Sequence, residues 1–558
     1  MDKKTVNVNI NGTDYTVEAG RNVLETCRSL GIEIPFFCYH PNLKVAGSCR
    51  MCLVYTGMPA RDRATGELIK NPDGSQKIAW APKPSISCGT NVAEGMHVIT
   101  DSDAVKDCRR SVLEFLLLNH PLDCPICDKA GECKLQEYTH AYGNAESRYV
   151  ERKNVKPKKV DVEGKIMLDA ERCIQCSRCI RFCNEFIGHS IFGFTKRGSK
   201  TEISVYPETD NDSNYLINVS DGCPVGALTE KAFRFKMRTW FLKTTDSICA
   251  ESSAGVNTRV WSRNGEIYRI TPRRNDAVND MFMSDSGRYV FRRFKQENRL
   301  ARARIDSSPC ELSYAADRCV EILKLGKVAI VANAWQTLEE QYAIAELAKS
   351  CKAEVFIASH TDDDDGKLVS ADRTPNMRGA FITGLTKAYP PSDLSDLVLK
   401  IRAGDVKTVL CFRENLQALG FDAKDFKSAN VVYCGALENE TSAAAKICVP
   451  LRSEFEKRGL WVNRQFRVQK FEKAVEPQKG TVDDLEFIMS LLRDLTGASF
   501  AIPSVDEIRR VMASKIPALA DCAEVGSQGR QIDGSAFAGV DFPEADAIHF
   551  TKNQHAKD

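Results

Sequence analysis

The sequence predicts a multidomain protein, α+β over roughly its first 240 residues and doubly wound α/β in the part that follows. Its 558 residues exceed one hydrophobic core, since cores stop growing beyond about 250 to 300 residues. Fourteen of the 22 cysteines lie within the first 223 residues, mostly in tight groups. After residue 240, short apolar runs rich in β-branched residues alternate with helical patterns. We therefore expect a cysteine-rich first half and an α/β second half.

The composition is that of a globular protein, with 43% apolar and 27% charged residues. No apolar run approaches the ~18 to 20 residues of a membrane helix, so we expect no direct membrane span. The formal net charge of +2 gives no basic signature for nucleic acid. The start, MDKKTVNVNI, runs into a strand pattern without a signal or transit pattern, which favours a cytoplasmic chain. In such a chain, clustered thiols indicate metal ligation or catalysis rather than disulfides.

The first elements are a hairpin and a helix. The run VNVNINGTDYTVEAG alternates apolar and polar residues on both sides of Asn11-Gly12, a strong hairpin signal. The run NVLETCRSLGI predicts a helix that ends at Gly31. Cys27 falls inside this helix, and we expect it to be a small core residue rather than a ligand.

A first group of cysteines follows this helix in CYHPNLKVAGSCRMC and, later, SISCGTNVAEGM. The candidate ligands are Cys38, Cys49, Cys52 and Cys88. A hairpin, a helix and such a loop are the opening order of a plant-type ferredoxin, in which four thiolates hold a 2Fe-2S cluster. The C-x10-C-x2-C spacing departs from the C-x4-C-x2-C of simple ferredoxins, and a structural zinc site is the alternative. Between Cys52 and Cys88, the polar, turn-rich run RDRATGELIKNPDGSQK (61–77) suggests a surface excursion.

A second group ends an amphipathic helical pattern in LLLNHPLDCPICDKAGEC. The candidate ligands are His120, Cys124, Cys127 and Cys133. Three thiolates and one neutral imidazole can bind zinc, or a 4Fe-4S cluster with one less negative charge than a four-thiolate cluster. We expect Cys108, earlier on the helix, to be a packing residue.

The third group, ERCIQCSRCIRFCNE, contains four cysteines with the spacing of a bacterial ferredoxin. Its fourth cysteine, Cys183, is followed by Asn184 rather than by the proline that closes the ferredoxin pattern. The Cys-Pro pair occurs later, at Cys223 in DGCPVGAL. The simplest assignment is a 4Fe-4S cluster held by Cys173, Cys176, Cys179 and Cys223. Cys183 is then a buried thiol. Three neighbouring arginines either stabilise the cluster or face solvent: Arg172, Arg178 and Arg181.

The second half contains the apolar runs KVAIVANA, AEVFIAS, VKTVLCF and NVVYCGAL, with the helical pattern TLEEQYAIAELAKS between the first two. The sequence has no G-x-G-x-x-G and no G-x-x-x-x-G-K-[ST], so we expect nicotinamide and flavin to bind another chain. The later cysteines lack ligand spacing, which predicts that they are packing residues. The acidic run 362–365 suggests a solvated loop. From about residue 523 the polar, glycine-rich tail suggests poor order.

Together, the three cysteine groups resemble those of the large iron-sulfur subunits, or G subunits, of NADH:quinone oxidoreductase, respiratory complex I. Pieces of the second half, MFMSDSGRYVFRR, NETSAAAKICVPL and EFEKRGLWVNRQFRVQKF, match the degenerate molybdopterin-oxidoreductase domain of that family, here in a short form. Only Cys249 stands where a working member would have a further cysteine cluster. The resemblance therefore implies one 2Fe-2S and two 4Fe-4S clusters, and no molybdopterin, FMN or NAD bound by this chain.

The resemblance also implies an organisation and a location. The domains would be a β-grasp 2Fe-2S ferredoxin-type domain (1–100), a 4Fe-4S domain with one histidine and three cysteine ligands (101–160), a 4Fe-4S ferredoxin-like domain (161–240), a molybdopterin-oxidoreductase-like domain without active site (241–500) and a partly disordered C-terminal extension (501–558). The implied partners are a flavin- and NADH-binding subunit, a ferredoxin-like iron-sulfur subunit and other peripheral-arm subunits. The implied place is the cytoplasmic face of the bacterial plasma membrane.

The implied function is electron transfer from the flavin subunit toward quinone, within an enzyme of the translocase class and without turnover by the isolated chain. Two alternatives stay open. One is an iron-sulfur subunit of an NAD-linked hydrogenase or formate dehydrogenase complex, since hydrogenases share the first cysteine module. The other is a non-redox scaffold that holds zinc in the cysteine sites.

Overall fold

A computed structural model of the chain describes residues 4–207, 212–391 and 393–543. The chain divides into two compact units, Met1–Phe241 and Leu242–Asp558. Over the described ranges, the structure contains no helix with the length and apolar character needed to span a membrane.

The first unit is built from short strands and helices joined by long loops. Its strands are β1 (Thr5–Ile10), β2 (Thr13–Glu18), β3 (Leu53–Pro59), β4 (Ile78–Trp80), β5 (Ser85–Ile86), β6 (Met96–Ile99), β7 (Val160–Val162), β8 (Ile166–Leu168), β9 (Phe192–Thr195), β10 (Glu202–Val205) and β11 (Leu228–Glu230). Its α-helices are α1 (Val23–Ser29), α2 (Asp103–Leu117), α3 (Lys134–Tyr142), α4 (Arg178–Phe182) and α5 (Asn218–Gly222). A π-helix covers Cys183–Ile187, and 3-10 turns cover Ser87–Gly89, Cys124–Ile126, Ala170–Arg172, Gly198–Lys200 and Thr239–Phe241.

The N-terminal sheet has the order β2-β1-β6-β3-β4, with β5 paired to β3. The predicted hairpin is confirmed: β1 and β2 are antiparallel, and Asn11 and Gly12 both have positive φ, at 52° and 86°. The predicted helix is confirmed as α1, and Gly31 follows it with a φ of 76°. Cys27 is fully buried in the core shared by α1 and the sheet, as predicted. This small sheet supports the loops that carry the first four cysteines.

Two further small sheets support the other cysteines of the first unit. Strands β7, β8 and β11 form an antiparallel sheet in the order β11-β8-β7, and β9 and β10 form a hairpin. Helix α2 confirms the amphipathic pattern before the second group, and α2 and α3 pack together. The second group lies between these two helices, and the third lies between β8 and β11. The predicted internal boundaries at residues 100 and 160 stay predictions.

The second unit contains a seven-stranded sheet and two small sheets. Its strands are β12 (Lys243–Ile248), β13 (Asn257–Arg263), β14 (Glu266–Pro272), β15 (Arg304–Ile305), β16 (Ser308–Pro309), β17 (Val328–Ala332), β18 (Glu354–Ile357), β19 (Thr408–Phe412), β20 (Asn430–Gly435), β21 (Ile447–Pro450), β22 (Gly459–Val462), β23 (Arg467–Phe471) and β24 (Arg530–Gln531). Its α-helices are α6 (Leu312–Lys324), α7 (Leu338–Cys351), α8 (Met377–Ile382), α9 (Ser395–Ala403), α10 (Ala423–Ser428), α11 (Glu440–Ala444), α12 (Asp484–Thr496) and α13 (Val505–Lys515). Short 3-10 turns cover Gly287–Phe294, Gln296–Asn298, Pro517–Leu519 and Ser535–Phe537.

The large sheet confirms the α/β prediction. Its order is β16-β15-β21-β20-β19-β17-β18, and the five strands from β21 to β18 are parallel. Alternate residues of each strand enter different cores: Ile330 packs with α6, α7 and α12, whereas Val331 packs with α9. Because helices cover both faces of the sheet, its parallel strands are continuously apolar. This explains why the four apolar runs in the sequence predict strands.

The tail differs in part from its prediction of poor order after residue 523. Residues 523–543 pack on the rest of the second unit. Strand β24 pairs with β23, and Phe537 stacks on Phe466 with ring centroids 5.5 Å apart. Phe542 contacts Phe381, with centroids 5.2 Å apart. Two aromatic anchors therefore order a segment whose polar composition suggested otherwise. Residues 544–558 lie outside the described part of the chain.

Candidate metal centres

The first candidate site consists of two pairs of cysteines. Cys38 and Cys49 lie on the loop before β3, Cys52 directly precedes β3, and Cys88 lies in the 3-10 turn after β5. The Cys38 backbone N–H donates to Cys49 Sγ at 3.4 Å, and the two thiols also hydrogen-bond to each other. The thiols of Cys52 and Cys88 form a second such pair. The structure thus divides the four predicted ligands two and two, as a two-iron group requires.

The electrostatics of these pairs favour ionised sulfur. The hydrogen bond from the Cys49 thiol lowers the pKa of Cys38 to about 5, against the opposing effect of burial. The hydrogen bond from Cys88 likewise lowers the pKa of Cys52 to about 6. The pKa values of Cys49 and Cys88 are raised, because each thiol donates its hydrogen to the partner sulfur and would lose this hydrogen bond on ionisation. In each pair the hydrogen bond favours the thiolate form of the accepting sulfur, and thiolate is the form that binds metal.

The second candidate site brings three thiols together. Cys124 and Cys127 flank a 3-10 turn, and Cys133 is the residue before α3. The charge of Cys124 acts on the Cys127 thiol, and the charge of Cys127 acts on the Cys133 thiol. Their place in one ligand set stays a prediction. Burial raises the pKa of Cys133 to about 11, while backbone N–H groups of Leu135 and Gln136 lower it. Cys124 is exposed, unlike the other two.

His120 lies three residues after α2, and its imidazole is suited to metal ligation. Its Nδ1 is buried and has no hydrogen-bond partner among the described residues. Burial, together with the positive charges of Lys153 and Arg172, lowers its pKa to about 4. The ring is therefore neutral at physiological pH, which is the form that binds metals. Its ligation of the group held by the three thiols stays a prediction.

The third candidate site is a small apolar cavity. Four cysteines line it, together with Ile203, Val225 and other apolar residues: Cys173, Cys176, Cys179 and Cys223. Gln175 and Ser177, with φ of 52° and 59°, wrap the loop around this cavity. The Gln175 N–H donates to Cys173 Sγ at 3.4 Å. Burial raises the pKa of Cys173 to about 12 and that of Cys176 to about 11, so these thiolates need nearby positive charge.

Cys183 does not belong to this lining. It begins the π-helix after α4, is fully buried, and burial raises its pKa to about 12. The prediction that Cys183 is a buried thiol is confirmed, although its spacing is that of a ferredoxin ligand.

Two arginines connect the candidate sites. Arg172 is buried, and its Nε and Nη2 donate to Asp123 Oδ2 at 3.0 and 2.9 Å. Because Asp123 precedes Cys124 and Arg172 precedes Cys173, this pair joins the second and third sites. Arg181 donates to the carbonyl oxygens of Cys38 and Cys176, which joins the first and third sites. The sequence marked both arginines as candidates for charge stabilisation but did not predict these connections.

No tight single-ion site is formed by these groups. Among the residues that the structure describes, no three His, Cys, Asp or Glu side chains come close enough to hold one metal ion. A zinc ion would need four ligands, each about 2.0 to 2.3 Å away.

Four family models match successive segments of the chain. A "2Fe-2S iron-sulfur cluster binding domain" matches residues 3–103, and an "NADH-ubiquinone oxidoreductase-G iron-sulfur binding region" matches 109–148. An "NADH-quinone oxidoreductase subunit 3, ferredoxin-like domain" matches 164–229, and an "NADH-ubiquinone oxidoreductase NDSU1/NuoG-like, 4Fe-4S domain" matches 242–292. Each of the first three segments contains one of the candidate sites.

Curated relatives carry corresponding names. The G subunit of the NADH-quinone oxidoreductase of Rickettsia felis is 36% identical over 392 residues, which are 69% of this chain and 54% of that protein. The NADH-ubiquinone oxidoreductase 75 kDa subunit of Reclinomonas americana is 41% identical over 293 residues, 52% of this chain and 39% of that protein. The chain belongs to the family of NADH-quinone oxidoreductase G subunits.

The G-subunit relatives are longer than the region they share with this chain, which spans about half their length (54% of the Rickettsia felis protein). A chain from the crystal structure of an NAD+-reducing NiFe hydrogenase in the H2-reduced state is 25% identical, covering 42% of this chain and 91% of that chain. Its TM-score of 0.34 is too low to support a structural comparison.

The fourth segment matched by the G-subunit family models, 242–292, contains a single cysteine, Cys249. Cys249 is buried just after β12, and its Sγ lies 3.9 Å from the Gly287 carbonyl oxygen. Burial raises the pKa of this thiol far above its usual range. A four-iron cluster needs four protein ligands, and this segment offers one thiol.

Proposed function

We propose that this chain is an iron-sulfur electron-transfer subunit of an NADH:quinone oxidoreductase, carrying electrons from a flavin subunit toward quinone. It would hold one 2Fe-2S and two 4Fe-4S clusters. The proposed 2Fe-2S ligands are Cys38, Cys49, Cys52 and Cys88. The proposed 4Fe-4S ligands are His120, Cys124, Cys127 and Cys133 for one cluster, and Cys173, Cys176, Cys179 and Cys223 for the other. Membership of the G-subunit family supports this proposal.

The observation that carries the proposal is the set of direct contacts that join the third site to each of the other two. Arg181 connects the first site to the third, and Arg172 connects the third to the second. Gly226, three residues after Cys223, lies so close to Cys127 that a Cβ there would be 2.1 Å from its sulfur. The third site would therefore contact both of the others, an arrangement that suits stepwise passage of single electrons along the chain.

The chain's own residues would position and tune the groups. Bound iron-sulfur clusters would supply the one-electron carriers, so no side chain needs to act as acid or base. Burial of Cys38, Cys52 and Cys88 excludes water from the sulfurs. Backbone N–H groups such as that of Gln175 donate to sulfur, which favours the more negative, reduced state. Replacing one thiolate by His120 would act in the same direction.

The second unit would be a partner-binding scaffold. Its parallel sheet is consistent with a molybdopterin-oxidoreductase-like fold without an active site, and Cys249 alone offers no site for a fourth cluster. The chain would assemble with a flavin- and NADH-binding subunit and a ferredoxin-like iron-sulfur subunit, at the cytoplasmic face of a bacterial plasma membrane. Quinone reduction and ion transport would belong to other subunits of this translocase.

Metal and sulfide analysis of protein purified without air tests the proposal. We expect about ten irons per chain, the content of one 2Fe-2S and two 4Fe-4S clusters. Stepwise reduction followed by electron paramagnetic resonance (EPR) should reveal one 2Fe-2S and two 4Fe-4S signals. Colourless protein with stoichiometric zinc would refute the proposal. Activity as a self-contained hydrogenase or formate dehydrogenase would favour the other enzyme classes instead.

A further inference from the structure

One side chain crosses the gap between the first and third candidate sites. Arg181 lies on α4, two residues after Cys179. Its Nη2 donates to the Cys38 carbonyl oxygen at 2.5 Å and to the Cys176 carbonyl oxygen at 3.4 Å. Cys38 and Cys176 belong to different proposed ligand sets. A single nitrogen therefore joins the backbones of two ligands that would hold different clusters.

The rest of the Arg181 side chain is held in place on both sides. Its Nη1 donates to the Lys44 carbonyl oxygen at 2.5 Å, and its Nε donates to Ser177 Oγ at 3.2 Å. The Lys44 N–H in turn donates to Glu185 Oε2 at 2.9 Å. The planar, rigid guanidinium can make such bonds at fixed angles, which a lysine ammonium cannot. The 38–44 loop is thus fastened to the segment around α4 at two points.

Arg178 occupies the same region but contacts different groups. Its Nη1 donates to the Gly222 carbonyl oxygen at 2.9 Å, and its guanidinium lies 5.7 Å from the centre of the Phe36 ring. Its charge acts on Cys176, Cys223 and Cys38. Arg178 therefore supplies positive charge within the third site, as Arg181 also does at Cys176. Of the two, Arg181 is the arginine that donates to backbone carbonyls of two different sites.

We propose that Arg181 is a positioning residue that sets the separation, and with it the electronic coupling, of the groups held by Cys38 and Cys176. This inference rests on the proposed function. Electron tunnelling falls exponentially with distance, so even a small shift of the 38–44 loop changes the rate strongly. Arg181 also completes a path of covalent and hydrogen bonds between the two ligands. The transfer it would support moves one electron from donor to acceptor, and no bond or proton changes place.

The test uses the full chain with its clusters loaded, comparing Arg181→Gln, Arg181→Lys and the exposed control Arg197→Gln. Iron and sulfide content are measured first. The readout is the faster spin relaxation of the reduced 2Fe-2S signal caused by the neighbouring reduced 4Fe-4S cluster, measured by pulsed EPR. This effect falls with the sixth power of the distance. We expect Arg181→Gln to weaken it about 1.5-fold to twofold, as an unsupported site loosens by roughly 1 Å.

Arg181→Lys should fall between Arg181→Gln and the natural protein, and Arg197→Gln should match the natural protein. Full cluster content with unchanged relaxation in Arg181→Gln would overturn the inference and leave the proposed function intact. Loss of either cluster from both Arg181 variants would also overturn it, because Arg181 would then be a folding determinant. Failure of the natural chain to bind iron-sulfur clusters would instead defeat the proposed function.

Discussion

At the scale of single residues, the position of a cysteine in the fold separates ligand from core residue better than its spacing does. Cys183 has ferredoxin spacing, yet it begins a π-helix and is buried away from the cavity. Cys223 is 44 positions beyond Cys179 and still lines that cavity. The reason is that α4 turns the chain away after Cys179, while the loop after α5 returns to the cavity.

We predict that Cys223→Ser loses the third cluster, whereas Cys183→Ser keeps it. The first change removes a thiolate from the cavity lining, and the second replaces a buried thiol at a cost of about 1 to 3 kcal/mol. Iron content per chain and the matching EPR signal are the measurements. In Cys223→Ser, iron should fall by about four per chain, the content of one 4Fe-4S cluster. The opposite pattern would identify Cys183 as the ligand.

For His120→Cys we predict that the second cluster survives at a lower reduction potential. A fourth thiolate adds negative charge, which disfavours an added electron by on the order of 100 mV. EPR-monitored redox titration measures the potential. His189→Cys, at an exposed position of the same unit, adds a thiol outside the proposed ligand set and should leave the potential unchanged. An unchanged potential in His120→Cys would count against ligation.

At the scale of elements, loops rather than helices and strands determine the sites, and two loops meet at Gly226. A Cβ at this position would lie 2.1 Å from Cys127 Sγ and 3.3 Å from the Cβ of Lys129. Only glycine fits this approach without displacing the sulfur. The contact connects the loop after Cys223 with the 3-10 turn that carries Cys127.

Gly226→Ala should therefore disturb the second cluster, although Gly226 is outside its ligand set. We expect a partial loss of iron from that site or a shift of its EPR signal, with the 2Fe-2S signal unchanged. Gly222→Ala is the control, since a Cβ at Gly222 meets nothing within 4 Å. Equal effects of the two substitutions would show that the loop responds to any added methyl group.

A half-buried histidine in the second unit, His360, predicts a pH dependence. His360 Nε2 lies 3.1 and 3.0 Å from the two Glu414 carboxylate oxygens, next to Trp335. Burial lowers the pKa of His360, but the hydrogen bonds and negative charges of Glu414 and Asp372 outweigh burial and raise it. A raised folded-state pKa stabilises the protein below the usual value of about 6.5, and this contribution is lost as pH rises through the folded-state pKa.

We therefore expect the unfolding temperature of the second unit to fall between about pH 6 and pH 8.5, and to fall less in His360→Gln. Calorimetry of the full chain at both pH values gives the comparison. His189→Gln, in the first unit, provides the matched control for loss of an imidazole. If His360→Gln and the natural protein showed the same pH dependence, protonation of His360 would not contribute to the stability of the second unit.

At the scale of the whole molecule, the chain combines a half that would carry electrons with a half that would bind partners. The sequence lacks the glycine-rich fingerprints of dinucleotide and phosphate binding. We therefore predict that NADH alone does not reduce the clusters of the isolated chain, whereas dithionite does. Loss of visible absorbance and the appearance of EPR signals measure reduction. Reduction by NADH without a flavin-containing partner would contradict the proposal that NADH and flavin bind another subunit.

Sequence patterns predicted the local features of this molecule well. The hairpin at Asn11-Gly12, the end of α1 just before Gly31 and the apolar strands of the second unit depend on neighbouring residues, and all three are confirmed. The order of residues 523–543 was not predicted, because it depends on Phe537 and Phe542 packing on distant rings. Composition reports average polarity, whereas two well-placed aromatic side chains are enough to hold a short segment.

The sequence by itself determined the family and the alternation of strands and helices, since short spacings and periodicity encode them, and it predicted the kinds of ligand. Only the tertiary structure decided how the first four thiols pair and which arginines join the sites. Arg181 and Cys38, for example, are 143 residues apart in the chain. Contacts at such separations arise from packing of the loops, and no local pattern in the sequence records them.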